Sequence, residues 1–392
     1  RPPQPMGSIV DSGLMQGGSE AGALAQEVEI MEPENFEGGA EIIPDAEGGA
    51  IVQAIAEATG MDIDEMIEHD SNLAEYLDEE VLKDISNDLT GSFEDDLESR
   101  DEWEETYTKG LDLLGVQSTE RSVPFEGASG VTHPLIAESV TQFQSQAYKE
   151  LLPSGGPVKT KVLGLSNQET ESQAARVKNF MNYLLLEKME EFDPDMDQML
   201  FYLPLSGSTF KKVYYDEAKG RPVSKFVAAQ DVVVPYTATD LATSPRITHQ
   251  VSGMYRDLEL GDAGDAEGDS VVQKVDELQG ISRTYKDEIR NILEIHSVMD
   301  IEGFEDKDEQ GELTGIKIPY IVTIDKSSGD VLSIRRNFAE SDPLKQAIQY
   351  FVHYKFMPGL GFYGFGLTHM IGGLGRAATS ILRQLIDAGT LA

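Results

Sequence analysis

The spacing of apolar residues changes along this 392-residue chain, and that change limits the fold more than any single motif does. Before residue 204, apolar residues mostly recur at helical spacing, as in the stripe Ile136, Val140, Phe143, Ala147 and Leu151. Between residues 209 and 356 they form short β-branched and aromatic runs separated by turn residues. Helical spacing then returns. Because these elements do not alternate strictly as βαβ units, we predict an α+β fold.

The helical stretches have recognisable ends. Thr132 is the expected N-cap of the stripe just described, and Pro153 ends it. Ser166 and Glu169 have capping-box spacing and are expected to open a long helix, which Pro194 interrupts before a further helix at 196–203. The last predicted helix is closed by Gly389 and carries an apolar stripe, namely Ala377, Ala378, Ile381, Leu382, Leu385 and Ile386.

Strands are predicted at 158–163, 209–215, 222–226, 232–234, 247–255, 292–301, 316–324, 331–336 and 347–356. The second and third flank the polar residues 216–221, which indicates a hairpin. The remaining segments are expected to be a loop at 122–131, an acidic glycine-rich loop at 261–270, a short helix at 271–280 and a glycine-rich segment at 358–375.

Charge is distributed unevenly. The chain has 31 basic and 70 acidic residues, and the first 110 residues alone contain 30 of the acidic ones and only 4 basic ones. Residues 1–48 are rich in glycine, proline and glutamate without sustained periodicity, which predicts a disordered arm. Short helical patterns follow up to Leu89. These segments are either small helices that dock on a partner or acidic helices that remain in solvent, and both alternatives are open. Compact sequence is expected to begin near Phe93.

Composition excludes several classes of protein. Tight phosphate binding draws on Lys and Arg, so a net charge of −39 argues against an ordinary nucleic-acid binder, though not against a surface past which DNA slides. The absence of cysteine excludes disulfides and thiolate metal sites. No apolar run approaches the ~20 residues of a membrane helix, and the first residues do not resemble a signal peptide. We expect both termini to be cuts in a longer chain.

The motifs that could carry chemistry are weak. Gly359, Gly361 and Gly364 match G-x-G-x-x-G, but further glycines follow and no suitable acidic residue lies downstream, so a flexible bend is the better interpretation. No P-loop exists, and the six histidines lack ligand spacing. Residues 306–317 only partly imitate a calcium loop, because Lys317 occupies the last ligand position. A metal-dependent nuclease using Asp306 is kept as a minor alternative.

Seven segments, in this order, stand out for another reason: 125–134, 141–153, 191–204, 207–215, 231–236, 246–249 and 364–374. They begin with Phe-Glu-Gly-Ala-Ser-Gly-Val-Thr-His-Pro and end with Gly-Phe-Gly-Leu-Thr-His-Met-Ile-Gly-Gly-Leu. Together they resemble the portal, or head-to-tail connector, proteins of tailed bacteriophages, of the podovirus type similar to the phage P22 portal. The resemblance runs from about Trp103 to Leu391 and leaves the acidic arm uncovered.

The resemblance implies a structural subunit, not an enzyme, without cofactor or metal. It implies a homo-oligomeric ring, usually of twelve copies, at one capsid vertex of the virion, assembled in the host cytoplasm. Double-stranded DNA would pass through the ring during packaging and ejection. The implied partners are the terminase large subunit, the major capsid and scaffolding proteins and the tail adaptor proteins, with no membrane. Another head–tail adaptor or capsid protein is the main alternative.

The resemblance also implies a division of the chain. Residues 1–92 would be the acidic arm, residues 93–365 the wing domain, and residues 366–392 the start of a channel-lining stem helix, cut before the clip, second stem helix and crown. Arg376 and Arg383 are seven residues apart and therefore share a helix face. We predict that they face the channel or a neighbouring subunit, with an ordinary solvent-facing or salt-bridged pair as the alternative. The small residues Gly372, Gly373, Gly375, Ala377 and Ala378 are predicted to allow close packing between subunits.

Overall fold

The computed structural model describes residues 67–116, 121–254, 289–307 and 312–391. Within these ranges the chain consists of six α-helices and two antiparallel sheets, which confirms the predicted α+β class. The proposed arm up to residue 66, the loop at 261–270, the helix at 271–280 and part of the calcium-like loop, residues 308–311, lie outside them.

The helices are α1 (Glu79–Glu98), α2 (Asp101–Leu111), α3 (Leu135–Leu151), α4 (Gln168–Tyr183), α5 (Phe192–Ser206) and α6 (Leu367–Leu391). A short 3-10 helix, Leu73–Tyr76, precedes α1, and a π-helical turn, Leu184–Lys188, extends α4. In the part of the chain that is described, no helix is long and apolar enough to cross a membrane.

The strands are β1 (Ser208–Asp216), β2 (Arg221–Ala228), β3 (Val232–Val233), β4 (Arg246–Met254), β5 (Ile289–Met299), β6 (Ile318–Asp325), β7 (Val331–Arg336) and β8 (Phe351–Lys355). One sheet has the order β2-β1-β8 and the other β3-β4-β5-β6-β7. The predicted hairpin is confirmed, since Asp216 at the end of β1 is paired with Arg221 at the start of β2.

The five-stranded sheet is covered by residues that the sequence assigned to the N-terminal arm. Leu73, Leu89 and Phe93 are buried in one apolar cluster with β5, β6 and β7. Helix α1 is continuous through the predicted boundary at residue 92, so packed structure begins before Phe93, contrary to the prediction. The acidic residues misled the sequence interpretation, because on α1 all of them except the buried Asp96 occupy the solvent side of an amphipathic helix whose other side is core.

A second cluster joins the helices. Tyr107, Leu111, Ile136, Val140 and Leu205 are buried together, which places α2, α3 and α5 in one core, and Leu367 and Ile371 of α6 pack against it. A third cluster, around Phe210, Phe351 and Phe362, fills the space between β1, β8 and the β3–β4 region. The helical core is what fixes one side of α6.

Three predictions about how helices begin were wrong. Helix α3 begins at Leu135 after Pro134, without a side-chain cap, so Thr132 is not the N-cap. The capping box at the start of α4 is formed by Asn167 and Thr170, one residue later than predicted. Pro194 lies in the first turn of α5 and does not delay that helix, because a first-turn N–H has no intrahelical acceptor anyway.

Residues 158–163 were predicted as a strand but pair with no strand that the structure describes. The Asn182 side chain accepts a hydrogen bond from Val158 N (2.9 Å) and donates one to Val158 O (3.2 Å). Thr160 Oγ1 donates to Ala174 O at 3.1 Å. The extended segment therefore lies along α4, which satisfies its polar groups without a sheet.

Candidate functional site

Helix α6 is the candidate site because its faces have different surroundings. At ~1.5 Å per residue its 25 residues span about 37 Å. It begins at Leu367, ten residues before the predicted stripe at Ala377, and it includes Gly372 and Gly375. A Cβ at Gly372 would lie 3.6 Å from Leu113, and one at Gly375 would lie 3.8 Å from Ile136. These two glycines therefore face the chain's own helices, and the prediction that they pack against another subunit was wrong.

A second face of α6 carries the predicted arginines and lines a groove of about 800 Å³ with the loop at 121–132. Arg383 is held by that loop: its Nε donates to Val131 O at 2.7 Å, and its Nη2 lies 3.3 Å from both Gly130 O and Thr132 Oγ1. Its guanidinium therefore has a positioning role within the chain. This assigns hydrogen bonds to Arg383 that the sequence pattern did not indicate.

Arg376 lines the same groove, so the predicted shared face is present. Its side chain is exposed and has no hydrogen bond or ion pair with any residue that the structure describes. Arg121 also lines the groove and donates to Ser129 O at 3.3 Å, while Asp387 accepts from Ser129 N at 2.7 Å. Of the predicted pair, Arg376 is the one whose donors remain available for an external anion, and its contact with a channel or neighbour stays a prediction.

A third face of α6 is apolar and exposed. We call it the α6 stripe; it consists of Met370, Leu374, Ile381 and Leu385, whose exposed fractions range from 49% to 67%. Their spacing of four, seven and four residues keeps them on one side of the helix, away from the arginines. A contiguous row of large apolar side chains on a solvent face is typical of a protein–protein contact.

The start of α6 is fixed by backbone contacts that only glycine permits. Gly207 has φ +88°, and a Cβ there would lie 2.4 Å from Gly364 O and from Gly366 N. A Cβ at Gly366 would lie 2.4 Å from Leu205 O, and Thr368 Oγ1 donates to that same carbonyl at 2.9 Å. The end of α5 and the entry to α6 therefore touch backbone to backbone.

The G-x-G-x-x-G segment has the role of a bend. The loop leads from β8, which is antiparallel to β1, into α6, so it is not the turn of a parallel βαβ unit. A Cβ at Gly359 would lie 2.2 Å from Tyr363 O, and one at Gly364 would lie 2.4 Å from Gly207 O. These distances confirm the interpretation that backbone passes close to backbone.

A buried joint at Arg100 was not indicated by any sequence pattern. Its guanidinium donates to Gln230 O at 2.6 Å and to Ala229 O and Val232 O at 3.2 Å each. Tyr363 lies within 3.3 Å of the same group and stacks on Trp103, with ring centroids 4.7 Å apart. Burial raises the pKa of Tyr363. These contacts of Arg100 and Tyr363 connect the start of α2 to the β2–β3 connection and to the loop before α6.

A buried charge cluster links the two sheets. Glu294 of β5 accepts from Lys212 Nζ of β1 at 2.6 Å, and His296 Nε2 lies 2.8 Å from its carboxylate. His249, its register partner on β4, is 3.9 Å away. Burial raises the pKa of Glu294, but the histidine hydrogen bonds and the charge of Lys212 outweigh it and hold that pKa well below its usual range. Burial lowers the pKa of His249.

Asp306, which the nuclease alternative requires, is bound by other side chains of the chain. Asp306 accepts from Lys345 Nζ and from Thr314 Oγ1, at 2.6 Å each. The hydrogen bond from Lys345 lowers the pKa of Asp306. Within the described ranges, no three His, Asp or Glu side chains are grouped so that they could hold a metal ion.

In comparisons with known proteins, no family model and no curated protein matches this chain.

Proposed function

We propose that this chain is a non-enzymatic structural subunit of a viral portal ring. The ring would occupy one capsid vertex, form the channel for packaging and ejection of double-stranded DNA, and serve as the docking platform for terminase and tail proteins. The proposal combines the ordered sequence segments that resemble portal proteins with the shape and surface of α6. Helix α6 would be the start of the stem that lines the channel, and the sheets and helices before it would form the wing.

The observation that carries the proposal is the division of α6 into a face held by its own chain and an exposed apolar face. Side chains such as Leu374 and Leu385, at 62% and 67% exposure, are out of place on the surface of a protein that works alone. Removing one such side chain from water contributes about 1.5–3 kcal/mol when burial is complete. A subunit whose neighbours cover that face explains the pattern.

Charge is consistent with a passive channel. A net charge of −39 repels the DNA backbone, so the ring would guide the DNA without gripping it. Arg376, exposed on α6, could make transient phosphate contacts within that acidic background. A passage lined mainly by basic residues would instead bind DNA through counterion release and slow its movement.

Electron microscopy of the purified polypeptide tests the proposal. We expect closed rings with a central hole wide enough for duplex DNA. A chain that stays monomeric under assembly conditions would refute it, and shells or solid discs would favour a different capsid or adaptor protein. Incubation with DNA and Mg²⁺ tests the enzyme alternative: specific cleavage that is lost in Asp306→Asn would replace the proposal with a nuclease.

A further inference from the structure

The groove between α6 and the loop at 121–132 contains positive charge that no carboxylate neutralises. We call it the arginine groove, because Arg121, Arg376 and Arg383 all line it. Arg121 and Arg383 donate to carbonyl and hydroxyl oxygens of the loop, which carry no charge. None of the three forms an ion pair with a residue that the structure describes. Cationic groups held together in this way favour an anion beside them.

The two aspartates of the groove do not change this balance. Asp387 accepts from Ser129 N at 2.7 Å, and neither Asp387 nor Asp112 forms an ion pair with the three arginines. Elsewhere in the chain, arginine is paired directly: Arg221 lies 2.7 Å from Glu191. In a chain with 70 acidic and 31 basic residues, three arginines around one groove without a carboxylate partner are a specific feature.

The groove also has apolar walls and the dimensions of one extended chain. Leu113, Pro124, Phe125 and Ala388 line it beside the arginines. Its α6 side runs from Arg376 to Ala388, about 18 Å at ~1.5 Å per residue, which matches about five extended residues. Its volume of about 800 Å³ spread over that length gives a cross-section of about 45 Å², close to that of one extended chain, whereas an α-helix is ~10 Å or more across.

We infer that the arginine groove binds an extended acidic segment of a partner protein. Its carboxylates would contact Arg376 and Arg121, while Arg383 holds the loop in place and adds its charge. The planar guanidinium group matches a carboxylate with two parallel hydrogen bonds. The apolar side chains of the segment would lie against residues such as Phe125, a contact that inorganic phosphate and the DNA backbone do not offer.

The charge of the whole chain is compatible with such a ligand. At physiological ionic strength charges are screened beyond about 8 Å, so the arginines of the groove outweigh distant acidic residues. A second copy of this chain would bring a net charge of −39, whereas a short acidic segment brings only a few charges. Charge therefore favours a segment of another protein, and the inference does not depend on the proposed ring.

Fluorescence anisotropy with the full chain tests the inference. The probe is the fluorescein-labelled peptide Glu-Leu-Glu-Ile-Glu-Leu, and its neutral twin is Gln-Leu-Gln-Ile-Gln-Leu. The acidic peptide should bind, and both the neutral twin and Arg376→Ala should weaken binding by roughly tenfold or more, because charge-assisted hydrogen bonds are lost. Arg176→Ala, at an exposed arginine of α4, is the matched control and should bind like the unmodified chain. Circular dichroism melting curves establish that each variant is folded.

Several results would overturn the inference. They are equal binding of the two peptides, an equal loss in Arg176→Ala, or no binding of the acidic peptide at millimolar concentration. Displacement of the acidic peptide by a short DNA duplex at lower concentration than by unlabelled peptide would reassign the groove to phosphate groups. Sedimentation velocity in which Arg376→Ala alters self-association would reassign it to a second copy. The proposed ring is judged separately, by microscopy of the unmodified chain.

A covalent readout locates the peptide, and the lack of native cysteine makes it clean. Ser380 lines the arginine groove and is exposed, whereas Ser172 is exposed on α4 outside it. A bromoacetyl form of the acidic peptide, whose bromide the cysteine thiolate displaces, should label Ser380→Cys roughly tenfold or more faster than Ser172→Cys, because binding raises its effective concentration there. Equal labelling rates would place the peptide elsewhere and refute the inference.

Discussion

Replacing Gly207 by alanine should impose two costs at once, one from the backbone conformation and one from a close contact, which two matched variants can separate. Gly207 has φ +88°, where an L-residue is strained by about 1–2 kcal/mol. Its Cβ would also lie 2.4 Å from Gly364 O and from Gly366 N, and backbone cannot rotate away as a side chain does. Forcing an atom into a filled space typically costs about 1–3 kcal/mol more. We therefore expect Gly207→Ala to lower the free energy of unfolding by about 2–5 kcal/mol.

Gly303 offers a matched control, because its φ of +86° is almost the same but no atom lies within 4 Å of the Cβ position. Gly303→Ala should lose only the backbone contribution of about 1–2 kcal/mol. Gly366→Ala provides the complementary case, in which the close contact with Leu205 O acts without a left-handed φ. The effects of Gly303→Ala and Gly366→Ala should together approach that of Gly207→Ala.

Urea unfolding followed by fluorescence is a suitable assay, since Trp103 is the single tryptophan and stacks on Tyr363, next to Gly364. The three variants and the unmodified chain should unfold with similar slopes, so that midpoints report stability. Equal shifts for Gly207→Ala and Gly303→Ala would refute the reasoning, because the backbone contact between α5 and the entry to α6 would then contribute nothing.

Three further outcomes follow from side chains. Burial, with the charge of Lys355, lowers the pKa of His353 to about 3, so the folded state keeps this histidine neutral above that pH, whereas the unfolded chain takes up a proton below about pH 6.5. The free energy of unfolding should therefore fall by about 2 kcal/mol between pH 7.5 and 5, and urea titrations at the two pH values should show a smaller fall for His353→Gln. Glu294→Gln leaves the amine of Lys212 unpaired between the sheets and should lower the free energy of unfolding by about 3 kcal/mol in the same assay. Glu105→Gln, which breaks the exposed pair with Lys109, should lower it by about 0.5 kcal/mol or less. Arg383→Ala should speed hydrogen exchange in the loop at 121–132 and cost about 1–2 kcal/mol, while Arg376→Ala should change stability by less than about 0.5 kcal/mol; equal effects would contradict the assigned contacts.

Periodicity was sufficient for the fold class and for most strands. The β1–β2 hairpin was predictable because alternating apolar residues flank a polar turn. The same reasoning failed at residues 158–163, where β-branched residues form an extended segment without a sheet. Whether an extended chain becomes a strand depends on what lies beside it, and here the partner is the Asn182 side chain of a helix.

Glycine content misled the periodicity of the final helix, although the division implied by the resemblance began the stem helix at residue 366. Gly372, Gly373 and Gly375 lower helix propensity by about 1 kcal/mol each, so the apolar pattern placed the helix start after them. Tertiary packing offsets that cost, because Gly372 and Gly375 allow α6 to approach Leu113 and Ile136 closely. The contacts of Arg383 were also not predictable, since they depend on main-chain carbonyls of a loop more than 250 residues earlier in the chain.

Opposing forces must balance if acidic copies are to assemble. Subunits of net charge −39 repel one another, so charge alone does not hold them together. Burial of the α6 stripe must therefore supply the affinity in such an assembly. Salt would screen the repulsion between subunits, which would favour assembly, and it would weaken any attachment of DNA phosphates to Arg376. In the proposed ring, apolar contacts would hold the subunits firmly together, while the surrounding negative charge would keep their contact with DNA weak.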